Sequence, residues 1–260
     1  MTRDELAAML GKAGVPEPAR DARRLIEAAK DRPGGWLAEA AARRAAREPV
    51  SHILGYRDFW KHRFAVTPDV LDPRPETETL VEIALAAPFS KLLDLGTGSG
   101  AIVISLLAER PGATAVGTDI SERAVLVAGQ NAVSAGVADR LLLPLSDWWE
   151  DVGGTYDLIV SNPPYIAAGE MTGLSPEVRW HEPRTALTDE GDGLSAYRAI
   201  IAGTAEHLAP GGRLLLEIGP TQARAVVALL GAGGLELVAI HPDLDGRDRV
   251  VEARHPVQSR

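Results

Sequence analysis

Apolar residues follow two different spacings along this chain, and the two alternate from about residue 75 onward. Short apolar runs such as Lys91–Leu95 have the length of buried strands, and longer segments such as Ala101–Glu109 have the length of helices. Strands that alternate with helices form a mainly parallel, doubly wound α/β sheet, and a final strand pair with no helix between its members is antiparallel. The predicted strands are 91–95, 113–119, 140–145, 156–161, 212–218, 235–240 and 249–254, and the predicted helices are 76–87, 101–109, 122–135, 193–208 and 221–231.

The first 48 residues have a different pattern, with apolar residues at helical spacing in short segments. Leu6 and Leu10 share one helix face, and Pro16, Pro18 and Pro33 separate the segments. This pattern predicts a compact helical unit that precedes the α/β region. The predicted division is a helical N-terminal domain (1–48), a hairpin linker (49–75) and an α/β domain (76–260).

Four of the twelve aromatic side chains lie between positions 56 and 64. The stretch 49–66 has strand-like composition, with Gly55, Arg57 and Asp58 as turn-forming residues, which predicts a β-hairpin. Most of the rings are expected in the hairpin core, and a role for some of them in lining a site stays open. The four rings are those of Tyr56, Phe59, Trp60 and Phe64.

Composition narrows the possible chemistry. The 260 residues are 45% hydrophobic and 24% charged, which is ordinary for a globular protein with a sizeable core. There is no cysteine, which excludes disulfides, thiolate metal sites and cysteine nucleophiles, and the six histidines lack ligand-like spacing, so no metal is expected. The N-terminus has no apolar signal core and no segment is long enough to span a membrane, so a cytoplasmic location is expected.

The charge is unevenly distributed. The net charge is −9, but residues up to Pro75 carry 14 Lys and Arg against 11 Asp and Glu, and the rest carries 13 against 25. An α/β domain with a net charge of −12 is unsuited to a polyanion, so no direct nucleic-acid partner is expected. The basic N-terminal domain is the expected docking surface for a protein substrate, with Arg20, Arg23, Arg24, Arg43 and Arg44 as its candidate residues.

A glycine-rich loop at 96–100 joins the first predicted strand of the α/β domain to the next helix. Glycines allow a tight turn and a close approach of the backbone to a ligand, and the helix N-terminus favours negative charge. Asp119 ends the following strand, where its carboxylate can hold ribose hydroxyls. The combination predicts a nucleoside site that includes Gly96, Thr97, Gly98, Ser99, Gly100 and Asp119.

The identity of the nucleoside depends on the residues around the loop. Gly96, Gly98 and Ala101 satisfy the dinucleotide pattern G-x-G-x-x-A, so an NAD-type dehydrogenase is one alternative. However, Asp94 precedes the first glycine by two residues and a third glycine falls at Gly100. This D-x-G-x-G-x-G form resembles the first motif of class I (Rossmann-like) S-adenosylmethionine-dependent methyltransferases, in which an antiparallel last strand is also typical.

The segment Asn162-Pro163-Pro164-Tyr165 follows the predicted strand 156–161 and is the most specific motif in the chain. Two successive prolines fix the backbone and supply no N–H, so the carbonyl groups of this segment stay free of a continuing strand. A planar NH₂ group against the Tyr165 ring could donate one hydrogen to the Asn162 side-chain oxygen and one to the Pro163 carbonyl. Two such acceptors would hold a weakly nucleophilic amide nitrogen in line with a methyl donor and favour charge on nitrogen in the transition state.

An N-P-P-Y segment after a class I glycine loop resembles methyltransferases that act on planar NH₂ groups. Over residues 49–254 the chain resembles the HemK/PrmC family, which methylates the glutamine of the Gly-Gly-Gln motif in class 1 peptide chain release factors. Family members also have a small helical N-terminal domain. The resemblance is carried by 49–56 (PVSHILGY), Phe59-Trp60, 73–78 (PRPETE), 92–101, 146–148 (SDW), Glu182-Pro183, 192–194 (DGL), Tyr197-Arg198 and 214–217 (LLLE).

The resemblance implies S-adenosyl-L-methionine as cofactor, with Asp147 and Trp148 at the adenine and no metal. The cofactor residues that it implies are Gly96, Thr97, Gly98, Ser99, Gly100, Asp119, Asp147, Trp148 and Asn162. For the substrate glutamine it implies Asn162, Pro163, Pro164 and Tyr165, of which Asn162, Pro163 and Tyr165 are the expected catalytic residues.

The chain departs from the family pattern at two places, Asp72 before Pro-Arg-Pro and the pair Trp180-His181 before Glu182-Pro183. Arg74, Glu76 and Glu78 are expected to cap helices or form ion pairs at least as readily as they contact the cofactor.

Two alternatives stay open. An N6-adenine DNA or RNA methyltransferase could use the same N-P-P-Y chemistry, although that reaction needs a flipped base and usually a basic recognition region. A cofactor-binding protein without activity is the second alternative, and the intact Asn162–Tyr165 motif argues against it.

Overall fold

The computed structural model describes residues 1–256, and the predicted α/β domain therefore extends four residues beyond the described part. The predicted helical start of the chain is present. A capping box begins the first helix, in which Thr2 Oγ1 accepts from the Glu5 N–H and the Glu5 carboxylate accepts from the Thr2 N–H. The helices bury one shared hydrophobic cluster that runs from Leu6 to Leu54. They are α1 (Arg3–Lys12), α2 (Pro18–Ala29), α3 (Trp36–Ala45) and α4 (Val50–Leu54).

The hairpin is shorter than the sequence predicts, because residues 50–54 form α4 instead of a strand. Pro49 precedes the first turn of α4, and Gly55 ends it in a left-handed conformation with φ of 83°. The strands are β1 (Tyr56–Phe59) and β2 (His62–Ala65). The predicted turn at Arg57 and Asp58 is wrong, since both residues pair across the hairpin and the chain reverses between Phe59 and His62.

The hairpin aromatics pack as the sequence predicts. Phe59 and Phe64 are almost fully buried against each other and against the helix Glu78–Leu85, with ring centroids 6.0 Å apart. Trp60 packs at the edge of the same cluster and donates from Nε1 to Glu109, and Tyr56 packs against the N-terminal helices. None of these four rings lines either of the two cavities described below.

The remaining elements form a seven-stranded sheet in the order β5-β4-β3-β6-β7-β9-β8, with only β9 antiparallel to its neighbours. This confirms the doubly wound α/β fold with an antiparallel last strand. The strands are β3 (Lys91–Leu95), β4 (Thr114–Thr118), β5 (Leu141–Leu142), β6 (Tyr156–Ser161), β7 (Leu208–Glu217), β8 (Glu236–Pro242) and β9 (Asp248–Arg254). The helices are α5 (Glu78–Leu85), α6 (Ala101–Glu109), α7 (Glu122–Ser134), α8 (Pro176–His181), α9 (Ser195–His207) and α10 (Ala223–Ala232).

Some boundaries differ from the prediction. The predicted strand 140–145 is reduced to two residues, because only an isolated bridge between Asp119 and Leu145 continues the pairing. β7 begins four residues before the predicted start, with irregular pairing to β6. The three-part division at residues 48 and 75 stays a prediction.

Side chains of the sheet alternate between two hydrophobic layers. Leu92, Leu158 and Val160 pack against α5 and α6 on one face, and Leu93 and Ile159 pack against α9 and α10 on the other. From β3 the chain continues outward to β4 and β5, whereas β6 lies on the opposite side of β3. The loops that follow β3 and β6 therefore separate at the topological switch point, where ligands bind in open α/β sheets.

Candidate active site

The glycine loop, residues 96–100, adopts the left-handed conformations that glycine permits. The φ angles are 72° at Gly96, 55° at Gly98 and 80° at Gly100. A Cβ atom at Gly96 or Gly98 would meet no atom within 4 Å, so the loop backbone lies open to the adjoining cavity. At Gly100 a Cβ atom would lie 2.6 Å from Ile104 Cδ1 and 3.2 Å from Ala128 Cβ. Gly100 thus serves close helix packing and does not line the cavity.

Two aspartates hold the glycine loop in place. Asp119 Oδ2 accepts from the Gly98 N–H at 2.8 Å and Oδ1 accepts from the Ser121 N–H at 2.9 Å. Burial raises the pKa of Asp119, and these backbone hydrogen bonds oppose the rise. Asp94 is fully buried and accepts from the Thr97 hydroxyl at 2.8 Å. Burial raises the pKa of Asp94 to about 7, with the Thr97 bond opposing it.

A first cavity of about 550 Å³ adjoins this loop. Asp119 lines it, and the segment 146–148 closes one side. Trp148 has a φ of 49° and its carbonyl accepts from the Ser146 hydroxyl at 3.1 Å, which fixes the turn that carries Asp147 and Trp148. The predicted cofactor residues that line the cavity are Gly96, Thr97, Gly98, Ser99, Asp119, Asp147, Trp148 and Asn162.

A second cavity of about 290 Å³ lies on the other side of the Asn162–Tyr165 loop. Pro163 and Tyr165 line this second cavity, Pro164 lines the first, and Asn162 lines both. The structure therefore brings the predicted cofactor residues and the predicted substrate residues together at Asn162. The two cavities also share Leu71, Arg74 and Ala186.

The acceptor groups of the Asn162–Tyr165 loop are available to a ligand. Within residues 1–256, neither the Asn162 side-chain oxygen nor the Pro163 carbonyl accepts a hydrogen bond from another residue. The Asn162 amide nitrogen donates to Thr77 Oγ1 at 3.3 Å, which turns its oxygen away from Thr77. Burial raises the pKa of Tyr165 to about 12, so the ring stays uncharged at neutral pH.

Gln222 supports the Asn162–Tyr165 loop through a main-chain carbonyl, and it lies outside every motif of the sequence. Its amide nitrogen donates to the carbonyls of Tyr165 and Gly193 at 2.9 and 3.1 Å, and its oxygen accepts from the Gly219 N–H at 3.0 Å and the Tyr197 hydroxyl at 3.3 Å. These bonds fix the main chain of Tyr165. No periodicity or motif in the sequence singles out Gln222, because the two carbonyls to which its amide nitrogen donates lie 29 and 57 residues away.

The stretch 166–188, irregular in sequence, folds back to form the outer wall of the second cavity. Leu174, Val178 and Leu187 supply apolar side chains to that wall, and the Ile166 N–H donates to the Leu187 carbonyl at 2.9 Å. α8 lies in this segment, and its Glu177 accepts from both Arg44 and Arg47 in the N-terminal helical region.

This ion network is largely buried. Arg44 is 4% exposed and also donates to Asp21 at 2.7 Å. Burial acts to raise the pKa of Glu177, but hydrogen bonds from Arg47, from the backbone N–H of Glu177 and from Arg44 outweigh it and lower that pKa to about 2. Arg44 is therefore a structural ion-pair residue and lies outside any surface for docking.

Most of the residues whose roles the sequence left undecided form hydrogen bonds with other residues of the protein. Arg74 donates to the buried Glu182 carboxylate at 2.6 Å, and burial raises the pKa of Glu182 to about 6. Glu78 accepts from the Trp60 N–H at 2.8 Å. Glu76 lines the second cavity. Asp72 is buried, accepts from the Ser51 hydroxyl at 2.9 Å and lies outside the lining of both cavities.

Within 1–256, no group of three or more His, Asp or Glu side chains is arranged to hold a metal ion. No helix in the same range is long and apolar enough to cross a membrane.

A family model and two solved structures define the class of protein to which this chain belongs. Residues 69–223 match the family model of the methyltransferase small domain. The fold is shared with a methyltransferase from Pyrococcus furiosus, with a TM-score of 0.58 and 16% identity over 75% of this chain and 89% of that one. A ribosomal protein L11 methylase from Lactobacillus delbrueckii subsp. bulgaricus gives a TM-score of 0.52 and 22% identity over 77% of this chain and 89% of that one. Fold and family model together define a methyltransferase.

More similar relatives define the family. A release factor glutamine methyltransferase from Cereibacter sphaeroides is 56% identical over 95% of this chain and 95% of its own length. Proteins of the same name from Rhodospirillum rubrum and Caulobacter vibrioides are 46% and 43% identical, each over 96% of this chain and over 83% and 94% of their own lengths. The chain belongs to the release factor glutamine methyltransferase family, which confirms the resemblance that the sequence motifs indicated.

Proposed function

We propose that this protein transfers a methyl group from S-adenosyl-L-methionine to the side-chain N5 atom of the glutamine in the Gly-Gly-Gln motif of class 1 peptide chain release factors. The observation that carries the proposal is the position of Asn162, which lines both cavities and presents a free amide oxygen beside the free Pro163 carbonyl. Membership of the family supplies the expected substrate.

The residues of the first cavity fit S-adenosylmethionine. The open backbone at Gly96 and Gly98 leaves room for the methionine part, and the Asp119 carboxylate keeps lone pairs for ribose hydroxyls beyond its two backbone bonds. Asp147 and Trp148 would contact the adenine at the side of the cavity that their turn closes. When bound, this cofactor supplies an electrophilic methyl group.

The Asn162–Tyr165 loop would hold the substrate amide. Its Asn162 side-chain oxygen and Pro163 carbonyl would each accept one hydrogen of the glutamine NH₂, with the Tyr165 ring beside the amide plane. An amide lone pair is delocalised, so these acceptors favour the transition state by stabilising the positive charge that grows on nitrogen. The amide nitrogen would gain the methyl group as the methyl–sulfur bond breaks and its electron pair stays on sulfur; loss of one proton from nitrogen would then leave a neutral N-methyl amide and a neutral thioether.

The preferred partner is thus a protein of the translation machinery, and the proposed location is the cytoplasm. The alternative of an N6-adenine methyltransferase is less well supported, because the relatives are named for release factor glutamine and the chain from Glu76 onward has 13 basic against 25 acidic residues. No direct nucleic-acid partner is proposed.

Purified protein should be incubated with methyl-labelled S-adenosylmethionine and either a class 1 release factor or duplex and single-stranded DNA. One added methyl group on the Gly-Gly-Gln glutamine, located by mass spectrometry, is expected. A release factor with that glutamine changed to alanine serves as the matched control and should accept no label. Label in DNA, with none in the release factor, would reverse the assignment.

A further inference from the structure

The loop 189–194, which leads into α9, lies beside both cavities. Asp189 and Glu190 in this loop line the first cavity, and Tyr165 lines the second. At Gly193 the loop backbone lies directly against Tyr165, and a Cβ atom there would collide with the Tyr165 carbonyl oxygen. Gly193 also has a φ of 75°, a conformation that glycine permits without strain. A wall of the expected cofactor site is therefore in main-chain contact with the expected substrate site.

Asp189 holds this loop in one shape. Its carboxylate accepts from the N–H groups of Gly191, Gly193 and Ser195 at 2.8, 3.0 and 2.9 Å. Burial acts to raise the pKa of Asp189, but hydrogen bonds from Ser195, Gly191 and Gly193 outweigh it and lower that pKa to about 2. The loop is thus a preformed unit whose position depends on its contacts with neighbouring segments. One such contact is the bond from the Ala168 N–H to the Gly191 carbonyl at 2.9 Å.

Gln222, which precedes α10, bonds to the loop and to Tyr165 at the same time. Its Nε2 donates to the carbonyls of Tyr165 and Gly193 at 2.9 and 3.1 Å, and its Oε1 accepts from the Gly219 N–H at 3.0 Å. Carbonyl oxygens only accept and a main-chain N–H only donates, so these partners allow one of the two amide orientations. A single amide group therefore holds the two segments at a fixed separation.

We propose that Gln222 is a positioning residue that ties Tyr165 to the loop 189–194 and thereby fixes the distance between the substrate amide and the cofactor methyl group. This inference rests on the proposed glutamine methylation, in which the Tyr165 ring lies beside the amide plane. A shift of about 1 Å between the two cavity walls would misalign the nitrogen with the methyl carbon, and such a misplacement can lower the rate about 100-fold.

The test compares single-turnover and steady-state methylation of a Gly-Gly-Gln release factor by the full-length protein and its variants. Gln222→Met removes both polar groups at nearly constant length, and Gln222→Glu keeps the acceptor for Gly219 but replaces the donor with a second oxygen. Both should lower kcat about 10- to 100-fold, with cofactor affinity, measured by calorimetry, within about threefold of the wild type. Gln130→Glu makes the same change at an exposed position on α7 and should keep the wild-type kcat.

The pH dependence separates a hydrogen-bonding role from a packing role. In Gln222→Glu the new carboxyl faces two carbonyl oxygens, which raises its pKa, and once protonated its hydroxyl can donate to one of them. The ratio of its kcat to that of the wild type should rise about fivefold from about pH 8.5 to about pH 5.5, and the ratio for Gln222→Met should stay constant. Ratios are compared at each pH because burial raises the pKa of Glu217, in the second cavity, to about 7 in every form.

Hydrogen exchange of the ligand-free chain gives a measurement that needs no turnover. In Gln222→Met, exchange should rise about tenfold in both 165–168 and 189–194 and stay unchanged in the glycine loop. The inference is overturned if either segment keeps wild-type exchange, if Gln222→Met keeps wild-type kcat, or if both variants show the same loss at every pH. Absence of transfer by the wild type would instead overturn the proposed function, and the exchange measurement would still decide whether Gln222 joins the two segments.

Discussion

Both cavities are lined by residues that are distant in the chain, from Asp69 to Ala199 in the first and from Leu71 to Arg249 in the second, but the first includes the consecutive residues of the glycine loop. The glycine loop, residues 96–100, is held by neighbours in β3 and β4 and by Asp119. The outer wall of the second cavity is instead held by α8, whose Glu177 is bound by arginines 130 or more residues earlier. A ligand site built from local backbone geometry is thus joined, at Asn162, to one that depends on long-range ion pairs.

The difference between the two cavities is tested most strongly by breaking the ion network in which Arg44 and Arg47 bind Glu177. Arg44→Ala leaves Asp21 buried without its cation and removes one partner of Glu177. The loss of one member of a buried pair is expected to lower the free energy of unfolding by about 3–5 kcal/mol. The KM for release factor should rise while cofactor affinity changes little, because α8 walls only the second cavity.

The exposed pair of Arg20 with Glu17 provides the control, since Arg20→Ala should change stability by about 1 kcal/mol or less. Urea unfolding of both variants measures the difference. Equal losses would contradict a special role for the buried network.

Asn162 lies where the two cavities meet, and its loss should affect the chemical step more than either binding event. Asn162→Ala is expected to lower kcat about 10²- to 10³-fold, because it removes one acceptor for the nitrogen that gains charge. Cofactor affinity, measured by calorimetry, should fall by less than about tenfold. A variant with wild-type turnover would exclude the acceptor role.

A substitution at Gly100 tests whether close packing of the glycine loop against Ile104 and Ala128 is needed for the first cavity. Gly100→Ala places a Cβ atom against Ile104 and imposes a left-handed backbone on alanine, which should cost about 1–3 kcal/mol of stability and weaken cofactor binding. Gly112→Ala, where a Cβ atom meets open space, is the control. Thermal unfolding with and without S-adenosylmethionine compares them, and equal effects would show that the close contact does not matter.

Asp94, which supports the glycine loop through Thr97, should make the stability of the protein pH-dependent. Its pKa is raised to about 7 in the folded protein, so the folded state holds a proton that the unfolded state releases near pH 4. Its contribution is complete below about pH 4 and is lost as pH rises through 7, with a slope of about 1.4 kcal/mol per pH unit.

Asp94→Asn should remove that slope between pH 5 and 7 while keeping an acceptor for Thr97. Urea unfolding at several pH values gives the slope directly. As a surface control, Asp192→Asn should keep the wild-type slope of stability against pH, since Arg198 lowers the pKa of Asp192. An unchanged slope in Asp94→Asn would mean that Asp94 is ionised in the folded state.

The fold and much of the site could be predicted because their signals are local. Strand β3 and helix α6 have the bounds that the apolar pattern predicts, and the intervening glycines require the φ angles that the structure shows. The hairpin turn is not predictable from local composition, because Arg57 and Asp58 have turn-like composition but strand pairing decides the register.

By itself, the sequence determined most strands and helices of the α/β region, the glycine loop and the Asn162–Tyr165 motif, since each depends on backbone preferences within about ten residues, and the alternation of strands with helices then implied the doubly wound sheet. Only the tertiary structure decided that Arg44 is a buried ion-pair residue, that Gln222 holds the Tyr165 main chain, and that Thr77 reaches Asn162. These contacts join residues tens to more than a hundred positions apart. Their energies arise from burial and pairing that no local pattern records, because the pairing exists only once the chain has folded.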